Sequence, residues 1–268
     1  MARIIEIVPY NLNWPLLFME ESRFIKQALG DNCIDIHHVG STSIVGLSAK
    51  PVIDMIPVVK NILDVDKVID KMVDLGYESK GEFGMPFRRF FMKGGDNRTH
   101  HAHVFEEHNP EINRHVKFRD WMREHEGDRK LYENLKIELA QKYSTDPIAY
   151  SLNKDLFISN IDAKTGCDGL RIVKTLTERE WESARYFRQK YVPQNSVQNS
   201  LTGTSERSDP VHFTCYKGAE IIGYALVEFS SHNKAELKIM VVDEKYKNNK
   251  IEVDFFNLCD RWINQCRI

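Results

Sequence analysis

The sequence predicts an α/β protein in two units: a mixed sheet with packed helices over residues 1–163, a linker over 164–169, and a smaller α/β unit over 170–268. Three observations carry this. Helix-periodic and strand-alternating segments interleave through the first 161 residues instead of falling into blocks. Lys164-Thr165-Gly166-Cys167-Asp168-Gly169 is small and polar, as connecting segments are. And 268 residues with 42% hydrophobic content supply apolar surface for two cores.

Tyr10 to Leu29 places Trp14, Leu17, Phe18, Phe24, Ile25 and Leu29 near helical spacing, and Gly30-Asp31-Asn32 stops it. Ile34 to Val39 alternates as a strand, Gly40-Ser41-Thr42-Ser43 turns, and Val52 to Val59 reads as a second strand, so a hairpin-like pair brings Gly40 and Ser41 near Asp54. Leu63 to Leu75 has helical periodicity with Gly76 as its cap. Phe87 to Met92 and His100 to Phe105 form an antiparallel pair across Gly94-Gly95-Asp96-Asn97. Asn113 to Tyr143 gives two helices parted near Glu126-Gly127-Asp128, and Asp146-Pro147 to Ile161 gives one more. In the second unit, Leu170 to Val173 is a strand and Glu178 to Tyr191 a helix. Pro193 to Asp209 is a polar stretch that reads as a loop or a weak helix. Val211 to Tyr216 and Ile221 to Phe229 make a hairpin, Ala235 to Val242 a strand, and Lys250 to Cys266 a helix.

A net charge of −2 gives no overall attraction for a polyanion such as nucleic acid. No apolar run approaches the ~20 residues that cross a bilayer, and the first residues lack a secretory layout, so a cytoplasmic protein without membrane contact is expected. Cys33, Cys167, Cys215, Cys259 and Cys266 form no CxxC pair and read as free thiols.

Phosphoryl chemistry needs a backbone that approaches a phosphate closely, carboxylates for a divalent cation, and charge-assisted donors. Gly40-Ser41 and Asp54 meet the first two needs. His101 and His103 lie two apart on a strand and share a face; they either complete a metal site with Asp54 or are hydrogen-bonded residues of a half-buried strand. Two imidazoles with a carboxylate favour zinc, manganese or iron over magnesium. His38 either contacts a phosphate or caps its strand. Lys50, Arg89 and Arg98 flank the same strands as candidate anion-binding cations.

The runs His38-Val39-Gly40-Ser41-Thr42, Gly46-Leu47, Ala49 to Asp54, Arg98 to Phe105, and Arg114-His115 with Phe118-Arg119-Asp120 resemble the GrpB family, as do Tyr10, Trp14 and Pro15 at the entrance. The resemblance runs from about Ile5 to Ile161 and implies a nucleotidyltransferase-like fold, in which a Gly-Ser pair is followed by an acid-hydrophobic-acid triplet. Here the triplet reads Asp54-Met55-Ile56, without the second acid. The family resemblance carries no reaction with it; the residues themselves give a candidate site with Asp54 as the catalytic group, His38, Gly40, Ser41, Thr42, Lys50 and Arg98 around a phosphate or nucleotide, and Asp54, His101 and His103 around a divalent metal (magnesium, manganese or zinc).

Residues 170 to 266 look like the first part of a GNAT acetyltransferase. Where that family carries Q/R-x-x-G-x-G/A, this chain has Lys247-Asn248-Asn249-Lys250-Ile251-Glu252, and the sequence stops before the later strands, so acetyl-CoA binding is not expected. Three functions follow: a metal-assisted transferase acting on a nucleotide or phosphorylated small molecule, a non-catalytic module that binds a small anion or metal or serves interaction, and, ranked below both, an acetyltransferase. The expected partner is a small anionic ligand, with a homodimer as the assembly that would cover an open sheet edge.

Overall fold

The computed structural model describes residues 4–192, 209–229, 234–247 and 250–265, and the chain divides into two units, Met1–Phe83 with Phe87–Cys167 and Gly84–Pro86 with Asp168–Ile268. The polar stretch 193–208, residues 248–249 of the pyrophosphate-loop comparison, and Cys266 lie outside the described residues.

In the first unit, α1 (Trp14–Leu29) begins with Pro15 in its first turn, where a missing N–H costs nothing. Strands β1 (Cys33–Val39) and β2 (Ile53–Val59) are antiparallel, as the hairpin pattern predicts. The predicted helix over 63–75 is instead two short ones, α2 (Leu63–Asp66) and α3 (Ile69–Asp74). Val68 leaves the helical region at φ −121°, and β-branched Val65 and Val68 are weak helix formers. Tyr77–Ser79 adds a short β3 that the alternation does not reveal, followed by β4 (Arg88–Lys93) and β5 (His100–Glu106).

The sheet order is β1-β2-β5-β4-β3, and β2 runs parallel to β5 with Asp54 opposite His101. One face carries Met55, Phe91, Ala102 and Val104, in one apolar cluster with Trp14, Ile25 and Leu29 of α1 and Met72 of α3. The opposite face carries Asp54, His101 and His103.

Helices α4 (Pro110–Glu124) and α5 (Glu126–Lys142) part at His125, so Gly127 lies inside a helix and not at the break. The His125 ring stacks on Trp121 at 3.5 Å, and its Nδ1 donates to the Trp121 carbonyl, which closes α4. The predicted last helix of this unit is likewise two, α6 (Pro147–Leu152) and α7 (Asp155–Lys164). Asn153 ends α6 by donating from its side chain to the Ala149 carbonyl. Helix α7 extends to Lys164, three residues beyond the predicted end.

The second unit is a four-stranded antiparallel sheet, β6 (Leu170–Lys174), β7 (Val211–Lys217), β8 (Glu220–Phe229) and β9 (Ala235–Val242) in that order. Helix α8 (Glu178–Tyr191) starts with a Thr177–Glu180 capping box and packs Ala184 and Phe187 on Tyr224 and Leu226. The helix Lys250–Gln265 meets the opposite face, with Trp262 edge-on to Phe213. Among the described residues no helix is long and apolar enough to cross a membrane.

Candidate functional site

The site starts from a glycine. Gly40 has φ +68° and ψ −176°, a region that side chains avoid, and a Cβ there would stand 2.5 Å from Asp54 Oδ2. The turn after β1 therefore lies directly against the carboxylate on β2. Beyond Gly40 the chain forms the 3₁₀ turn Ser41–Ser43, whose leading amides are the kind that a short helix leaves for an outside acceptor.

Two arginines of α4 hold this turn. Arg119 donates from Nη1 to the His38 carbonyl at 3.0 Å, and Arg123 donates from Nη2 to the Ser43 carbonyl at 2.8 Å. They sit one helical turn apart and share Asp120 as counterion. On its inner side, the His38 Nε2–H meets Thr42 Oγ1 at 3.1 Å, Thr42 donates to the Val52 carbonyl, and Phe18 stacks on the His38 ring at 4.7 Å. Burial, helped by Arg123 and Arg119 and opposed by Asp54, lowers the His38 pKa to about 4, so the ring is neutral near pH 7. His38 Nε2 and Thr42 Oγ1 are thus spent on each other and on the backbone, shaping the turn from beneath.

Across the face, His101 Nδ1 lies 2.9 Å and His103 Nε2 3.8 Å from Asp54 Oδ1. Among the described residues these three form the one group of His, Cys, Asp or Glu that could hold a metal. Burial pushes the Asp54 carboxyl up, but the hydrogen bonds from His101 and His103 outweigh it and hold the acid well below the usual range. Burial lowers the His103 pKa to about 3. Phe90 walls off both imidazoles, with ring centroids 5.3 Å and 4.6 Å away. Ile56, where a second acid would stand, is fully buried, and among the described residues no second carboxylate joins Asp54 in this group.

Arg88 closes the back of the site. Its Nη1 lies 3.2 Å from His103 Nδ1, while Nε and Nη2 donate to the carbonyls of Glu82 and Phe83. A guanidinium can only donate, so His103 Nδ1 accepts and its Nε2 carries the proton directed at Asp54. A metal at Nε2 would need that proton moved to Nδ1, facing a donor. The His101 Nε2 has no hydrogen-bond partner and is buried.

The expected cations divide. Lys50 Nζ stands 4.6 Å from the Tyr150 ring centroid, beside Lys154 Nζ at 4.5 Å. Asp54 acts electrostatically on both Lys154 and Tyr150, and the Ser41 side chain opposes the rise that burial imposes on the Tyr132 hydroxyl, which ties this cluster to the turn. Arg98 donates to the Gly95 carbonyl and to Met92 Sδ, within its own hairpin. Arg89 pairs with Val104 in register, one residue off His103, so it emerges on the α1 face and binds Asp66 through two bonds of 2.6 and 2.7 Å. That departs from the expected anion site, and strand parity is the reason. The sequence reading missed Arg88, Arg123, Tyr132, Tyr150 and Lys154. Only the i, i+4 spacing of Arg119 and Arg123 offered a local signal.

Residues 4–164 match the family described as GrpB protein. The chain is similar to UPF0157 protein YqkA of Bacillus subtilis, 42% identical over 160 residues, which is 60% of this chain and 47% of YqkA. It is also similar to Glutamate-rich protein GrpB of Alkalihalophilus pseudofirmus, 32% identical over 58% of this chain and 92% of that protein. A crystal structure of conserved protein GrpB from Enterococcus faecalis aligns with a TM-score of 0.57 at 38% identity, covering 60% of this chain and 96% of that one. The chain thus spans about half the length of YqkA, and none of the three names states a reaction.

Two outcomes are expected. Gly40→Ala should cost about 1–3 kcal/mol in urea unfolding, and Asp54→Gly should relieve only the steric part of that loss. A His38 held neutral when folded has its pKa below the unfolded value near 6.5, so below that pH the unfolded chain binds a proton that the folded chain refuses. His38 alone should contribute a fall of about 2 kcal/mol from pH 7 to 5, so His38→Gln should reduce the slope of stability against pH by about that much in unfolding curves, the share of His103 remaining.

Proposed function

Residues 4–164 make this chain a member of the GrpB family, and from that premise we propose that it is a metal-assisted transferase of nucleotidyltransferase type, acting on a nucleotide or another phosphorylated small molecule. The observation that carries the reading is the convergence of Asp54, His101 and His103 on one face, directly against the Gly40 turn. In a tetrahedral site with bonds of about 2.0–2.1 Å, ligand atoms lie about 3.3 Å apart. The 2.9 and 3.8 Å separations bracket that value, and one carboxylate with two imidazoles suits zinc or manganese.

Asp54, His101 and His103 would hold a single ion, which would supply positive charge to a phosphate and polarise it. Around it, the Gly40–Ser41 turn admits a phosphate because no Cβ stands between backbone and ligand. Phe90 packs against the imidazoles, and Asp54, its carboxyl held well below the usual range, stays available as a ligand across the neutral pH range. Arg88 tempers the affinity, since a ligating His103 must turn an N–H toward a guanidinium. The ion is therefore exchangeable.

Buried Ile56 in place of a second acid favours the other reading, a module that binds the same ligand without turnover. The second unit enters neither reading as an acetyltransferase. Glu252 lies in the first turn of the helix Lys250–Gln265, where a pyrophosphate would meet like charge.

Incubation with ATP and manganese tests the transferase: pyrophosphate release that vanishes in Asp54→Ala is expected, and metal and nucleotide binding without release would favour the binding module. Arg88→Met should tighten manganese or zinc binding measured by calorimetry. Equal or weaker binding in a folded variant would remove His103 from the ligand set.

A further inference from the structure

We propose that the C-terminal end of α8 and the turn it meets form a docking surface for single-stranded nucleic acid, built from lysines laid along tyrosine rings. The surface belongs wholly to the second unit and rests on no part of the transferase reading.

The patch starts from Tyr191, the last residue of α8. Lys190 Nζ lies 4.9 Å and Lys247 Nζ 4.5 Å from its ring centroid, and its hydroxyl accepts from the Glu244 amide at 3.2 Å. That bond joins α8 to the 3₁₀ turn Glu244–Tyr246 that follows β9. On the turn, the Tyr246 ring carries Lys245 Nζ at 5.0 Å and, from the end of β7, Lys217 Nζ at 5.7 Å. In the other direction Lys190 reaches back one helical turn and donates to the Tyr186 hydroxyl at 3.0 Å. Hydrogen bonds and ring contacts thus connect one strip from Tyr186 to Lys217.

The strip is positive. All four lysines are exposed, and among the described residues Lys190, Lys217 and Lys247 lean on rings and a hydroxyl, not on carboxylates. Of the acids on the turn, Glu220 is engaged by Lys245 and Tyr246, and Asp243 accepts from the Lys245 amide. That leaves Glu244 against three lysines. An ammonium over an aromatic face is held electrostatically, so these long side chains are already placed and lose less freedom when they meet an anion. A strip of exposed cations has no walls to enclose a small molecule; it suits a chain of phosphates running along it. Tyr186, 49% exposed at one end, offers a ring to a base, and a base presents its face only when unpaired. The net charge of −2 confines the attraction to this strip, which makes binding sensitive to salt.

Fluorescence anisotropy of the full chain with a labelled oligouridylate of ~12 nucleotides tests this across a salt series. With three lysines on phosphates, the slope of log affinity against log salt should be about −2, and Lys190→Met and Lys247→Met should each reduce it by about 0.7 and weaken binding, while Lys190→Arg keeps both. Tyr186→Ala should weaken binding about fivefold or more and Tyr186→Phe should retain it. These side chains are exposed, so the variants keep the fold. A duplex bound as tightly as the single strand, a Tyr186→Ala variant equal to wild type, or no binding at low salt would overturn the proposal. So would loss of binding in EDTA, which would place the oligonucleotide at the Asp54 centre, or a preference for phosphatidylserine vesicles over the oligonucleotide, which would assign the strip to a membrane surface.

Discussion

The parallel pairing of β2 with β5 is the constraint from which the site follows. It sets Asp54 opposite His101, and strand pleat then sends His103 to the same side, two residues on. A slip of one residue would turn both imidazoles into the apolar cluster around Met55 and Ala102. The core beneath therefore holds the register, and the register holds the chemistry. A parallel pair cannot be closed by a tight turn and needs a crossover connection. Here 40 residues separate β2 from β5, and the intervening chain supplies β3, β4 and their helices.

Helix α4 links this face to the rest of its unit. Its arginines at 119 and 123 fix the carbonyls at 38 and 43, while Arg114 and His115, on the same helix, contact buried Glu111. Arg114 also meets Asp162 of α7 at 3.2 Å, and the His115 ring lies 6.3 Å from that of His103. Glu111 and Asp162 are almost wholly buried, and ions so placed are kept only with close partners. A chain of polar and charged groups thus runs from Asp54 through the neutral His103 and Arg88 toward α4 and α7.

Much of this was readable in order along the chain. The alternation of Ile34 to Val39 and Val52 to Val59 gave the hairpin, the glycine gave the turn, and the spacing of His101 and His103 gave their common face. Parity also held the means to exclude Arg89, had the pairing of β4 been assigned residue by residue. What stayed hidden came from contacts between distant segments. Tyr132, Tyr150 and Lys154 are ordinary helical residues until tertiary packing carries them to the turn, and no local pattern distinguishes them from a solvated or core-facing helix surface. Helix breaks at Val68 and Asn153 were likewise missed, because the apolar period continues through both while local backbone geometry does not.

Gly40 answers to two separate demands, one from its own backbone angles and one from the carboxylate beside it. A descendant that traded Asp54 for a smaller, uncharged residue would lift the second demand and leave the first intact. Glycine would then persist at that place long after the acid had gone. In comparing distant kin, the glycine is accordingly a record of chain path, and the aspartate alone tells whether the chemistry has been inherited.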